Sequence, residues 1–371
     1  MTAPDRLSEL PVLFVDCQST GATPAHGSLM ELGWGWGDGP EVVSRRVRLP
    51  EGATVPRRVA KLTGLDDHAL RDAPRADEVW RELAARAADA PTAVIHFAPF
   101  EERWLRALHA SVDREAPFPF EVICTHAIAR RLLPELPRRG LRALAGYLGA
   151  PVGMLRRSAE HVAATAFVWR ALVSRLAAEG VHDRAALRDW LAHTPPAKPL
   201  ARGWPMPRAA WRGLPDRPGV YRMRRRDGSL LYVGKARSLK ARVASYFQKR
   251  RGVPDRTLEM LTQARDLDVT ETASPLEAAL LEHDEIKRHA PPYNVALREA
   301  DRTCVFASRD LSSFADAPDA RHPLGPFVHA RPLRALPALV ASLAGGDVPP
   351  AEALALPEDR APDEATWRAA L

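Results

Sequence analysis

Six residues in the second half of the chain, Tyr221, Tyr232, Lys235, Arg242, Glu282 and Asn294, are of types that can act together on a phosphodiester. A single carboxylate such as Glu282 can hold a hard divalent cation through oxygen. A cation so held polarises a phosphoryl oxygen and stabilises the leaving group. Lys235 and Arg242 can offset charge on a pentacovalent transition state. A tyrosine, with a free pKa of about 10, is useful to a water nucleophile at neutral pH only beside a cation. Taken singly, each residue has a plainer reading. Strand tyrosines usually pack, a helical arginine is usually solvated, and a glutamate beside Ala278–Leu281 usually marks the edge of an apolar stripe. Their joint order and spacing carry the chemical reading.

A second set begins in LFVDCQSTG, Leu13 to Gly21. Val12 to Val15 reads as an apolar strand with Asp16 at its end. Two-metal nucleases often place an acid-x-acid pair there, but Gln18 stands in the second position. Gln18 offers only a neutral oxygen.

These residues need elements to hold them. In the first half, Pro11–Val15, Leu29–Gly35 and Val42–Leu49 read as three strands whose spacing suits a meander. Pro56–Leu62 and Ala76–Ala88 read as helices, Ala93–Phe97 as a short strand, and Pro99–Leu108 as the start of a helix. Leu141–Leu148 and Ala159–Ala178 add helical periodicity, so a mixed sheet with flanking helices is expected. A short helix at Asp183–Leu191 precedes HTPPAKPLARGWPMP, a proline-rich linker. Beyond it, Gly219–Met223 and Leu230–Gly234 read as strands joined by the tight-turn dipeptide Asp227-Gly228. Ser238 can cap a helix to about Lys249, and Leu267–Glu271 reads as a third strand. Ser274 opens a capping box for a helix to about Arg288.

Charge is unevenly placed. The 371 residues carry a net charge of +7, and Met206–Ala300 alone holds 19 Lys and Arg against 12 Asp and Glu. The whole excess therefore lies in one block, which favours a nucleic-acid partner. RMRRRDG and QKRRG read as exposed basic loops beside the cleft. Arg224, Arg225, Arg226, Lys240, Lys249, Arg250 and Arg251 are the expected phosphate contacts. Such contacts position DNA without reading its bases. Cys17, Cys124 and Cys304 are too scattered for a zinc site or a disulfide framework, which fits a reducing cytoplasm. No signal pattern and no membrane-length apolar run is present, so no membrane partner is expected.

LPDRPGVYRM, LYVGKARSLKARVASYF and ETASPLEAALLEHDEIKRHAPPYNV, from about Leu214 to Leu297, resemble the GIY-YIG nucleases. Within these they are similar to the N-terminal incision domain of the bacterial excinuclease subunit UvrC and its stand-alone relative Cho. The two family tripeptides fall on Gly219-Val220-Tyr221 and Tyr232-Val233-Gly234, a valine replacing isoleucine in each. The resemblance implies that Tyr221 accepts a proton from water and Glu282 binds Mg²⁺ or Mn²⁺. It places Tyr232, Lys235, Arg242 and Asn294 in the catalytic set. GPFVHARPLRALPALV resembles the segment that follows this domain in UvrC and Cho. No UvrB-interaction module, second endonuclease domain or helix-hairpin-helix pair is evident, so one incision chemistry is expected.

LFVDCQSTG, VPRRVAKLTGL, IHFAPFEERWL, ICTHAIARRLLPEL, LRALAGYLGAP and RRSAEHVAATA resemble a DnaQ-like 3′→5′ exonuclease domain, of the kind in polymerase III epsilon, from about Leu13 to Leu172. That family uses four carboxylates and a general-base histidine. Asp16 keeps the first acid, Gln18 replaces the second, Glu101 lengthens the third, Arg156 falls on the histidine and His161 on the last acid. Two cations about 4 Å apart need more negative charge than this. Arg156 would add positive charge where the base should be, and Asp16 with Glu101 could form only a weak metal site.

The expected fold class is a multidomain α/β protein. It combines an RNase H-like exonuclease fold at residues 9–180, a helix and linker at 181–207, and a small α/β GIY-YIG domain at 208–300. A UvrC/Cho-like segment at 301–345 and a loosely ordered tail at 346–371 follow. The expected function is a metal-dependent, structure-selective DNA endonuclease in bacterial DNA repair (nucleotide excision repair, the SOS response), with 3′ incision as in UvrC. The exonuclease-like domain would bind DNA or dock a repair protein or polymerase clamp. The competing readings are an active exonuclease with a DNA-binding second half, and a non-enzymatic scaffold.

Overall fold

The computed structural model describes residues 6–36, 42–151, 153–196, 203–248, 252–294, 305–310, 312–315 and 318–327. Lys249, Arg250, Arg251, Cys304 and the expected tail at 346–371 lie outside them. The chain forms two compact units, Met1–Val295 and Ala296–Leu371.

The first unit opens with strands β1 (Val12–Ser19), β2 (Leu29–Trp36) and β3 (Val42–Arg46). Helices α1 (Arg57–Thr63), α2 (Asp67–Leu70) and α3 (Ala76–Ala84) follow. Next come β4 (Thr92–Ile95), α4 (Ala98–Val112), β5 (Glu121–Cys124) and α5 (Thr125–Leu132). Helices α6 (Leu141–Leu148), α7 (Ser158–Ala178) and α8 (Arg184–His193) complete this half. The sheet order is β3-β2-β1-β4-β5, with β1–β3 an antiparallel meander and β4 and β5 parallel to β1. This is the mixed sheet with flanking helices that the exonuclease resemblance implies. Its faces are apolar on both sides. Phe14 and Val94 pack under α5–α7, while Leu13, Val15 and Ile95 pack with Trp34 and Trp80 on the other side. Each such side chain, fully buried, contributes roughly 1.5–3 kcal/mol.

One boundary differs from expectation in a way that matters. β1 does not stop at Val15. It pairs with β2 through Asp16 opposite Gly33 and Gln18 opposite Glu31. Antiparallel pairing carries the strand past the apolar run, so Asp16 projects from within the sheet. Phe97, expected to end β4, instead lies in the left-handed region (φ 63°) and starts α4.

The remainder of this unit holds α9 (Ala209–Arg212), β6 (Gly219–Arg224), β7 (Leu230–Ala236) and α10 (Leu239–Gln248). It ends with α11 (Asp255–Gln263), β8 (Asp266–Glu271) and α12 (Pro275–His289). These strands form a separate antiparallel sheet, β7-β6-β8. Gly228, at φ 81°, turns β6 into β7 as Asp227-Gly228 predicts. Ser274 caps α12 by accepting from the Glu277 N–H, while the Glu277 carboxylate accepts from the Ala273 N–H at 2.8 Å. The α11 helix was not anticipated. Pro254 begins it, and Leu258 and Leu261 bury its inner face.

The second unit shows a small antiparallel sheet of β9 (Val305–Ala307), β10 (Phe314–Ala315) and β11 (Leu324–Phe327). Among the described residues no helix is long and apolar enough to cross a membrane.

Candidate functional site

β6 and β7 pair so that Tyr221 stands opposite Gly234. A Cβ at position 234 would collide with the Tyr221 hydroxyl and come within 2.8 Å of the Tyr232 ring. Glycine therefore lets both rings lie across this strand, with centroids 6.0 Å apart. Tyr221 is fully buried, and its hydroxyl shares a 2.8 Å hydrogen bond with that of Tyr246. Arg242, one turn earlier on α10, donates to the Tyr246 hydroxyl at 3.3 Å and lies 5.1 Å from its ring centroid. Tyr246 escaped the sequence reading. Its place four residues after Arg242 on a capped helix was the available signal.

Tyr232, Arg242, Ser245 and Tyr246 line a cavity of about 360 Å³, shared with Arg256, Met260 and Tyr293. Burial raises the Tyr221 phenol well above its ordinary range; Tyr246 and Tyr232 add to this and Arg242 opposes it. Burial also pushes Tyr232 up to about 12. Both side chains are therefore neutral phenols at neutral pH.

Glu282 reaches β7 from α12. Its Oε1 accepts from the Lys235 N–H at 3.0 Å and its Oε2 from Lys235 Nζ at 2.8 Å. The Glu282 side chain is 12% exposed and that of Lys235 is 51% exposed. An ion pair with one partner in solvent is worth about 1 kcal/mol or less, so a divalent cation can displace the ammonium. Glu285, one turn on, differs. Arg222 grips both of its oxygens, and both residues are largely buried.

Among the described residues no group of three or more His, Cys, Asp or Glu side chains could hold a metal. A cation here would rest on one carboxylate and water. That suits Mg²⁺, which keeps several waters and needs only one or two carboxylates. The donor set at Glu282 therefore fits.

Asn294, expected in the catalytic set, is placed to support it. Its Oδ1 accepts from the Val233 N–H at 3.0 Å and its Nδ2 donates to the Val233 carbonyl at 2.8 Å. It clamps β7 between Tyr232 and Gly234.

The basic stretch RMRRRDG is not an exposed loop throughout. Arg224 lies within β6 and donates to Asp268 at 2.6 Å. Arg225 is buried, with its Nε 3.0 Å from Gln263 Oε1, so it is corrected from a phosphate contact to an internal one. Carboxylates and amides of α11 and β8 supply partners that a one-dimensional charge run cannot reveal. Arg226 and Lys240 are exposed.

The first half brings Asp16, Gln18 and His161 together. Asp16 Oδ1 lies 3.1 Å from His161 Nδ1, and Asp16 Oδ2 accepts from Gln18 Nε2 at 3.1 Å. Both carboxylate oxygens are thus engaged. Burial raises Asp16 despite the opposing pull of His161 and Gln18, and the Asp16 charge raises His161 against its own burial. Burial, reinforced by the Asp16 charge, pushes Glu101 up to about 9, so it is uncharged at neutral pH. Arg156 does not fill the pocket as expected. It is exposed, and its backbone N–H is bound by Glu160; His161 is the side chain that reaches Asp16.

A model of the UvrC-like GIY-YIG domain matches residues 217–295. That stretch is a UvrC-like GIY-YIG domain. The UvrABC system protein C of Sphingopyxis alaskensis is 51% identical over 107 residues, covering 29% of this chain and 16% of that protein. The magnesium-bound GIY-YIG N-terminal endonuclease domain of UvrC from Thermotoga maritima is 31% identical, covering 24% of this chain and 94% of that one, with a TM-score of 0.22. A Mycobacterium tuberculosis protein named as a bifunctional exonuclease/endonuclease is 36% identical over 245 residues, 65% of this chain and 36% of that protein. The chain thus spans about a third of that relative's length. The match reaches well beyond the GIY-YIG domain, in keeping with an N-terminal half that resembles an exonuclease.

Proposed function

We propose that this chain is a metal-dependent, structure-selective DNA endonuclease acting in DNA repair, with its chemistry confined to the GIY-YIG domain. The observation that carries the reading is the arrangement of Tyr221, Tyr232, Tyr246 and Arg242, with Glu282 of α12 reaching the strand β7 and held there by a displaceable lysine. A cation bound by Glu282 would polarise the phosphoryl group and stabilise the leaving oxygen. Arg242 faces the cavity and offsets charge that builds on the phosphorus oxygens. Lys235, freed from Glu282, supplies a second positive charge. Tyr246, which lines the cavity, orients the attacking water and takes its proton as it releases its own toward the cavity. Tyr221, expected to accept that proton itself, is fully buried and instead holds the Tyr246 hydroxyl through their shared hydrogen bond. Asn294 keeps Tyr232 and Gly234 in place.

The first half serves as a DNA-binding or docking domain in this reading. The M. tuberculosis relative's name joins two nuclease activities, but here both oxygens of Asp16 are engaged and Glu101 is neutral. Only the endonuclease is assigned. The incision is expected on the 3′ side, as in UvrC, with Mg²⁺ or Mn²⁺. The test is cleavage of damaged, flapped and branched DNA. Cutting should vanish in Glu282→Ala, and undiminished cutting there overturns the reading. Mononucleotide release that survives Glu282→Ala but is lost in Asp16→Ala would instead make the first half the enzyme.

A further inference from the structure

The two halves of the first unit meet through α6 and α11, and the contact leads to the GIY-YIG cavity. Arg142 of α6 donates from Nη1 to Glu259 Oε1 at 3.0 Å, with only 12% of its side chain exposed. The same Glu259 oxygen accepts the Tyr293 hydroxyl at 2.5 Å. The Arg142 guanidinium also lies over the Tyr293 ring, 4.5 Å from its centroid. Gln263 of α11 donates to the Tyr293 hydroxyl and accepts from Arg225. Tyr293 is buried, lines the cavity beside Tyr232, Arg242 and Tyr246, and ties its N–H to the β7 carbonyl of Leu231 at 3.1 Å. Its neighbour Asn294 clamps Val233.

Four further contacts fix this seam. Arg138 pairs with Asp255, and its N–H donates to Thr262 Oγ1 at 3.1 Å. The Arg265 guanidinium sits 4.1 Å from the Tyr147 ring centroid. Gly146 lies so close to α11 that a Cβ there would collide with the Gln263 side-chain amide.

We propose that Arg142, contributed by the exonuclease-like half, is a positioning residue for the endonuclease site, acting through Glu259 and Tyr293 on β7. It touches none of the expected catalytic side chains. It fixes the ring that forms one side of the cavity and the segment that clamps Tyr232 and Gly234. The exonuclease-like half then supports the second site directly, whatever DNA or partner it also binds. The inference rests on the endonuclease reading for its kinetic consequence, though not for its structural one.

The test uses the full chain with Arg142→Ala, Arg142→Lys and Gly146→Ala. Alanine at position 146 favours the helix by itself, so its effect comes from the collision with Gln263. Hydrogen exchange at the Val233 and Tyr293 amides should quicken selectively in Arg142→Ala and Gly146→Ala. DNA-cleavage kcat should fall on the order of tenfold, with KM for DNA unchanged, because small misplacements of a site cost rate. Arg142→Lys should recover part of the loss. Unchanged exchange at both amides, or quickened exchange spread evenly over the whole unit, would overturn the proposal. So would unchanged kcat beside selectively quickened exchange. If Arg142→Ala does not fold, Gly146→Ala decides. If the wild-type chain cuts no DNA, the endonuclease reading fails, and the exchange measurement still decides whether Arg142 holds β7.

Discussion

Asp16 and Glu282 are both largely shielded carboxylates at nuclease-like positions, yet their surroundings differ. Asp16 has both oxygens engaged by its own half, with a neutral Glu101 beside it. Glu282 is also paired, but with a half-exposed lysine. In the proposed reading, retaining an acid is not enough to retain a metal site. What matters is whether the acid's charge is free, or cheaply freed, for a cation.

The largest expected effect breaks this comparison most simply. Glu282→Ala should lower DNA cleavage on the order of 10³-fold, whereas Asp16→Ala should leave it within about twofold. Single-turnover cleavage of a flapped substrate measures both. A large loss in Asp16→Ala would reverse the assignment of the two halves. Next, Arg242→Ala should cost about 10²-fold in kcat through lost transition-state charge. Tyr246→Phe should cost about tenfold and also shift the alkaline limb of the pH–rate profile, because it removes the hydroxyl that Tyr221 holds and that takes the water's proton. An unaltered profile would exclude the proton route through Tyr246.

The first half offers a subtler test. Glu101 titrates near 9 when folded against an ordinary 4.5, so the folded state holds a proton that the unfolded chain has released. Its stabilising contribution is fully present below about 4.5 and is lost as pH rises through about 9. The slope is at most roughly 1.4 kcal/mol per pH unit. Thermal melts across this window should show falling stability, and Glu101→Gln should flatten the trend. An equally steep trend in the variant would mean that Glu101 is charged, and the pocket closer to a working metal site. The smallest effect is expected at the surface. Lys240→Ala should reduce the salt dependence of DNA binding by about one counterion, whereas Arg225→Ala should act through folding instead.

Much of this was legible in the sequence because it is local. The strand tyrosines, the Asp227-Gly228 turn and the Ser274 cap depend on neighbours a few residues away. Gly234 could be read too, since two facing rings need a residue without a side chain. Tyr246 was readable in principle, one turn after Arg242. The errors arose where distant chain segments set the outcome. Pairing with Gly33 and Glu31 on β2 carried β1 past Asp16. Gln263 drew Arg225 inward, and Glu285 captured Arg222 from 63 residues away. That Gln18 and His161 stand where the exonuclease resemblance implies acids was visible, but the engagement of Asp16 by His161 depends on α7 crossing β1, 145 residues later.

The most direct test is a Mn²⁺ titration of the full chain, followed by the loss of the free-ion electron paramagnetic resonance signal. The wild-type chain and Asp16→Ala should take up Mn²⁺ with equal affinity, and Glu282→Ala should lose that uptake. Uptake that persists in Glu282→Ala and disappears in Asp16→Ala would contradict the account.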